Sequence, residues 1–174
     1  MVYNLVWYNI SVLFLPKMTE KTKQIIVYLV QSHQQPTVTS LMKLCYLIDL
    51  TAIKKIKYQI TDFKYLRYNF GPFDKSIYTY LENLTTDDVI KQNLDYAVGG
   101  ADYITFEESE GSNFEISELS PEELTLVDDL LESLKGFGAK TLTAIAYKTK
   151  PMLALGATLG GSEGMGEILD LSAK

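Results

Sequence analysis

Between Val38 and about Lys55 the chain is apolar on nearly every side of a helix. Leu41, Leu44, Cys45, Ile48 and Ala52 follow the i, i+3, i+4, i+7, i+11 spacing of one helical face, and Met42, Tyr46, Leu47, Leu50 and Ile53 fill the other sides. A helix without a polar face cannot lie on a surface, so the remaining segments must cover it all round. The 174 residues are enough for one core of that kind. The expectation is a mainly α, single globular domain of about five to six helices around a buried central helix, with a small β-hairpin element.

The covering elements have local signals of their own. Thr19 or Glu20 through His33 reads as a helix with Thr19 as its cap and Ile25, Ile26, Leu29 and Val30 as its apolar face, stopped by Pro36. Ile60 to Phe70 alternates loosely (Phe63, Tyr65, Leu66, Tyr68, Phe70) and reads as an extended stretch that Gly71-Pro72 ends. A third helix is expected from about Asp74, with Ile77, Tyr78, Leu81 and Leu84 on its inner face. Leu94–Val98 and Tyr103–Phe106 flank Gly99-Gly100-Ala101-Asp102 as the two arms of a hairpin. Ser120-Pro121-Glu122-Glu123 is a capping box with proline at the first helical position. The helix it starts carries Leu124, Val127, Leu130, Leu131 and Leu134, and Lys140 to about Lys148 forms a shorter one. After Pro151 the chain turns glycine-rich, which predicts loop with one helical turn around Glu167–Leu171.

This divides the chain into an upstream arm (1–17), the domain (18–152) and a glycine-rich segment (153–174). In the arm, the apolar run from Val6 to Leu15 is shorter than the ~20 residues a membrane helix needs. It has no preceding Lys or Arg and no following cleavage site, so a signal peptide does not fit, and Met18 is expected as the natural first residue.

Catalytic and metal chemistry find little to work with. His33, the one histidine, falls at a helix end where a cation is favourable without any further role, and Cys45, the one cysteine, sits in the most apolar helix. One of each cannot build a zinc site within a chain, and a lone cysteine fits a reducing cytoplasm. Gly156, Gly160, Gly161, Gly164 and Gly166 lack the Gly-Lys-Ser/Thr ending of a phosphate loop, and the acids from Asp87 to Glu132 do not match a calcium loop. No catalytic residue, metal or cofactor is therefore expected.

Charge is more informative. Residues 17–75 carry ten Lys/Arg against four Asp/Glu, whereas 76–134 carry Lys91 alone against fifteen acids. The acidic block repels nucleic acid and draws a basic partner, mainly by speeding encounter. Lys54, Lys55, Lys57, Lys64 and Arg67 among Tyr58, Phe63, Tyr65 and Tyr68 are a basic–aromatic mixture, but no basic recognition helix accompanies them, so nucleic acid is not the expected partner.

What remains is a binding module, and two segments identify its kind. Ser40-Leu-Met-Lys-Leu-Cys-Tyr-Leu-Ile-Asp49 resembles the L-x-K-L-L-Y-L-x-D helix of the Panacea antitoxin domain, the SocA-like phage-associated family. Leu66-Arg-Tyr-Asn-Phe-Gly-Pro-Phe-Asp-Lys-Ser-Ile-Tyr78 resembles that family's Y-x-x-G-P segment, with Tyr58-Gln-Ile-Thr61-Asp62 at the position of an intervening turn. The likeness departs at Ala146–Met152, where many relatives carry a His and an acidic–Trp pair. It implies an antitoxin that binds a toxin encoded beside it and blocks it by direct contact, or alternatively an adaptor that hands a toxin to a AAA+ protease. Self-association stays open. Lys43, Tyr46, Asp49, Gly71, Pro72 and Tyr78 are the family-like positions, expected to define the fold: Gly71-Pro72 sets a turn, and Lys43 and Asp49 satisfy polar groups near it. Glu107, Glu108, Glu110, Glu115 and Glu118 in the acidic block are the candidate contacts for a basic toxin.

Overall fold

The computed structural model describes residues 17–96 and 102–173. In chain order the elements are α1 (Glu20–Ser32), α2 (Val38–Ile56), β1 (Leu66–Tyr68), β2 (Gly71–Phe73), α3 (Ser76–Thr86), β3 (Ile90–Tyr96), β4 (Asp102–Glu108), α4 (Pro121–Ser133), α5 (Ala139–Tyr147) and α6 (Lys150–Ala154). The upstream arm to residue 16 and the glycine turn at 97–101 lie outside the described residues.

The apolar helix is the centre of the domain. Every residue of α2 from Ser40 to Leu50 is buried, covered by α1, α3, α4, α5 and β2. The fold is mainly α with two small antiparallel hairpins, as the all-round apolar helix requires. Capping is local and matches its signals. Thr19 accepts the Thr22 amide at 3.3 Å. At α4, Ser120 Oγ accepts the Glu123 amide at 3.2 Å and Glu123 Oε2 accepts the Ser120 amide at 2.7 Å. A second box, Thr37 with Ser40, starts α2; caps of this kind contribute about 1 kcal/mol each.

Elsewhere the structure differs from expectation. Gly71-Pro72 does not end an extended stretch but begins β2, which pairs with β1 as Leu66↔Phe73, Arg67↔Pro72 and Tyr68↔Gly71. Asp74 precedes α3, its Oδ1 accepting the Ser76 amide and hydroxyl at 2.9 Å each. The inner face of α3 is Ile77, Tyr80, Leu81 and Leu84, and Tyr78 is 58% exposed. At about 100° per residue Ile77, Tyr80, Leu81 and Leu84 fall within one arc of the helix, and Tyr78 lies outside it. The β3–β4 ladder is longer than its flanks suggested, running from Ile90↔Glu108 to Tyr96↔Asp102.

The glycine-rich segment is loop, as expected, but it is packed against the fold, and a single β-bridge stands where a helical turn was expected. Its backbone runs along the free edge of β1: the Arg67 amide donates to Glu167 O (2.8 Å), Gly166 to Arg67 O (2.8 Å) and Leu169 to Tyr65 O (2.9 Å), with Leu66 and Ile168 bridged antiparallel. Ala157, Leu169 and Leu171 are buried under it.

Candidate functional site: an aromatic pocket over a buried lysine

Helix α2 projects three buried polar side chains at steps of three residues, and each ties down a different segment. The Asp49 carboxylate accepts the Ile60 and Thr61 amides (3.0 Å each), the Tyr65 hydroxyl (2.6 Å), the Gln59 side-chain amide (3.2 Å) and the Thr61 hydroxyl. Burial pushes its carboxyl above the usual range, and the Thr61, Tyr65 and Ile60 hydrogen bonds pull it back. Tyr46 shares a hydrogen bond with Thr149 Oγ1 (2.6 Å) ahead of α6 and meets the Tyr65 ring edge-on at 5.3 Å. Burial takes its phenol to about 12.

Lys43 is the third. Its Nζ donates to Pro72 O at 2.8 Å, the side chain is 2% exposed, and burial lowers its ammonium to about 8. It forms no ion pair among the described residues. Lys43 therefore serves the Gly71-Pro72 turn, whereas Asp49 serves the Gln59–Tyr65 loop and not that turn.

The turn itself depends on Gly71, whose φ of +92° is a conformation that side chains disfavour. A Cβ there would sit 3.3 Å from the Tyr147 ring and 3.6 Å from Lys43 Cε. Gly71→Ala is expected to lower stability by about 1–2 kcal/mol, from both the dihedral and the crowding. Urea unfolding would check it, and a loss below about 0.5 kcal/mol would refute the assignment.

Above the lysine lies a cavity of about 150 Å³ between α2, the β1–β2 hairpin and α3. Its lining includes Met42, Lys43, Tyr68, Phe70, Phe73 and Tyr78. Tyr68 stacks on Phe73 at 5.5 Å, and Phe73 meets Tyr78 at 5.9 Å. These rings stand at the surface: Phe70 is 67% exposed at the hairpin tip, Tyr78 58% and Tyr68 49%. An exposed apolar cluster around a concavity is a feature of binding surfaces, because an isolated fold gains nothing by leaving it wet. A larger groove, about 500 Å³ between α1 and α4, has a mixed lining in which Leu131 and Leu134 stand beside His33, Asp129, Glu132 and Lys135.

The family model described as antitoxin SocA-like, Panacea domain, matches residues 41–151. The chain belongs to the SocA-like antitoxin family. No curated protein and no solved structure matches it. The match takes in all six of the Panacea motif positions named above, and in this Panacea domain the structure gathers Lys43, Gly71 and Tyr78 at one pocket. Pro72 supplies the carbonyl beneath it, while Tyr46 and Asp49 lie on the same helix but point to other segments.

The acidic candidates are not one patch. Glu107 and Glu108 are neighbours on β4, so alternation sends them to opposite faces. Glu107 meets Lys91 at 3.1 Å and Glu110 meets it at 3.7 Å, and hydrogen bonds from Asn93 and Lys91 hold the Glu107 carboxyl below the usual range. Glu115 and Glu118 are exposed on the link to α4, where Gln24 Oε1 accepts the Ser117 and Glu118 amides at 3.0 and 2.9 Å. In the basic–aromatic stretch, Arg67, Phe63 and Tyr65 are buried, leaving only its lysines, Tyr58 and Tyr68 at the surface. His33 uses both ring nitrogens on backbone groups of Gln35 and Phe137, and burial raises the Cys45 thiol well above its ordinary value.

Pocket residues Tyr68, Phe70 and Phe73 were not singled out as functional from sequence. A phenylalanine beside Gly-Pro in a tight turn was the available signal, since turn tips are solvent-facing. Among the described residues no helix is long and apolar enough to cross a membrane.

Proposed function

We propose that this SocA-like antitoxin neutralises a toxin encoded beside it by direct protein–protein contact, anchored at the aromatic pocket. The observation that carries the reading is the exposure of Phe70, Tyr78 and Tyr68 around a cavity built from family-motif residues. Aromatic anchors in pockets dominate binding energy, and a stable interface buries ~1,600 Å² in all, so the pocket is its centre and not its extent. The dispersed acids Glu107, Glu108, Glu110, Glu115 and Glu118 act at longer range, speeding encounter with a basic toxin. The glycine-rich segment that an adaptor would offer to a protease is committed to β1, which favours neutralisation over delivery.

The test is co-expression with the neighbouring open reading frame. Growth arrest by the neighbour alone should be relieved by the full chain, with a complex recovered by pull-down. The double substitution Phe70→Ala with Tyr78→Ala should abolish relief while the thermal midpoint stays within a few degrees, because both rings are largely exposed. Full rescue by that folded variant would remove the pocket from the interface. Replacing the five glutamates by lysine should weaken the complex most at low salt.

A further inference from the structure

A pocket walled by rings and underlain by a charge has an unusual electrostatic imbalance. Lys43 offers three N–H donors, and among the described residues its one hydrogen bond goes to the Pro72 carbonyl. Around it stand neutral groups: Tyr68 from β1, Tyr78 from α3 and the Tyr147 ring from α5, which meets Gly71 beside Lys43 Cε. Buried charges are ordinarily paired, since desolvation of a lone ion is costly. Burial is what lowers the Lys43 ammonium. The cavity of about 150 Å³ corresponds to about five water volumes, room for one side chain.

We propose that this pocket receives the side chain of a single glutamate from the bound partner protein, its methylenes between the rings and its carboxylate on the Lys43 ammonium. The inference rests on the pocket being the toxin contact. Glutamate suits it because the rings that form the rim are exposed while Lys43 lies beneath them, so an acid must carry a short apolar stem to reach the charge. A chain terminus would bring its own amide and a second side chain into space for one. The bound carboxylate supplies the missing partner, a contact made only in the complex.

The test uses small probes and the full ¹⁵N-labelled chain near pH 7. N-acetyl-glutamate N-methylamide should shift the Gly71, Phe73 and Tyr78 amides, and its glutamine counterpart should bind at least about ten-fold more weakly, a difference of about 1.4 kcal/mol. Lys43→Met keeps the stem volume and should erase that preference. Equal binding of the two probes, no shift from the glutamate probe up to its solubility, or tighter binding of N-acetyl-leucine through its terminal carboxylate would each overturn the proposal. These measurements on the unmodified chain do not depend on whether the lysine variant folds. They also separate the two readings: loss of rescue by the Phe70/Tyr78 variant with no acid preference here keeps the toxin contact and removes the glutamate.

Discussion

Asp49→Ala is expected to destabilise the domain by about 3–5 kcal/mol, the cost of leaving several buried donors without an acceptor. The carboxylate holds two backbone amides, two hydroxyls and one side-chain amide, and all but Gln59 belong to buried parts of the Gln59–Tyr65 loop. Removing it strands the Ile60 and Thr61 amides and the Tyr65 hydroxyl in the core. A fold of this size is stable by only about 5–15 kcal/mol, so much of the margin goes. Asp49→Asn should cost far less: its oxygen still accepts both amides, and the Thr61 and Tyr65 hydroxyls can turn to accept from its nitrogen. The unmodified chain also separates from both variants in pH. Burial raises the native carboxyl above its unfolded value. The stability this group contributes is therefore full at acid pH and declines as pH climbs from the ordinary carboxylate range through the raised native value. The asparagine variant should lack that decline. Urea titrations of the three proteins decide it, and an alanine loss under about 1.5 kcal/mol would contradict the hub role.

The central helix, its neighbours and the capping boxes were legible because their signals are local: a period of 3.6, a Ser/Thr with its partner three residues on, a proline at the start. Errors arose where one local signal serves two structures. The residue before proline is pushed to extended geometry, and this holds equally for Gly71 ending a strand or opening one. For Tyr78 and Tyr80 the composition of α3 allowed either phase, and packing against α2 chose Tyr80. In the tail, five glycines masked the alternation of exposed Ile168, buried Leu169, exposed Asp170 and buried Leu171, a strand pattern whose partner β1 lies about a hundred residues earlier. The site was half visible. Lys43, Gly71 and Tyr78 could be named from their motif, but the pocket needs Tyr68, Phe70 and Phe73 brought round by the β1–β2 turn. A charge count along the chain likewise could not show that strand alternation parts Glu107 from Glu108.

Arg67→Ala is expected to release the glycine-rich segment and to cost about 2–4 kcal/mol. Arg67 is fully buried, yet among the described residues no carboxylate answers it. Backbone carbonyls hold it instead: Nη1 donates to Tyr68 O at 2.6 Å, and Nη2 to Thr158 O at 3.2 Å and to Gly161 O. The guanidinium also lies 5.5 Å from the centre of the Tyr147 ring. The planar fork thus bridges the hairpin, α5 and the tail, a geometry lysine cannot copy. Alanine removes the bridge and leaves a cavity, but two of the three orphaned carbonyls, those of Thr158 and Gly161, sit on a segment that can lift into water, so the damage should be local. Hydrogen exchange should quicken across 156–171 while α2 and α4 keep most of their protection. Arg67→Met, which fills the space without the donors, should fall between the two. Uniform acceleration over the whole domain would instead make Arg67 an ordinary core residue, because a clamp fails first where it grips.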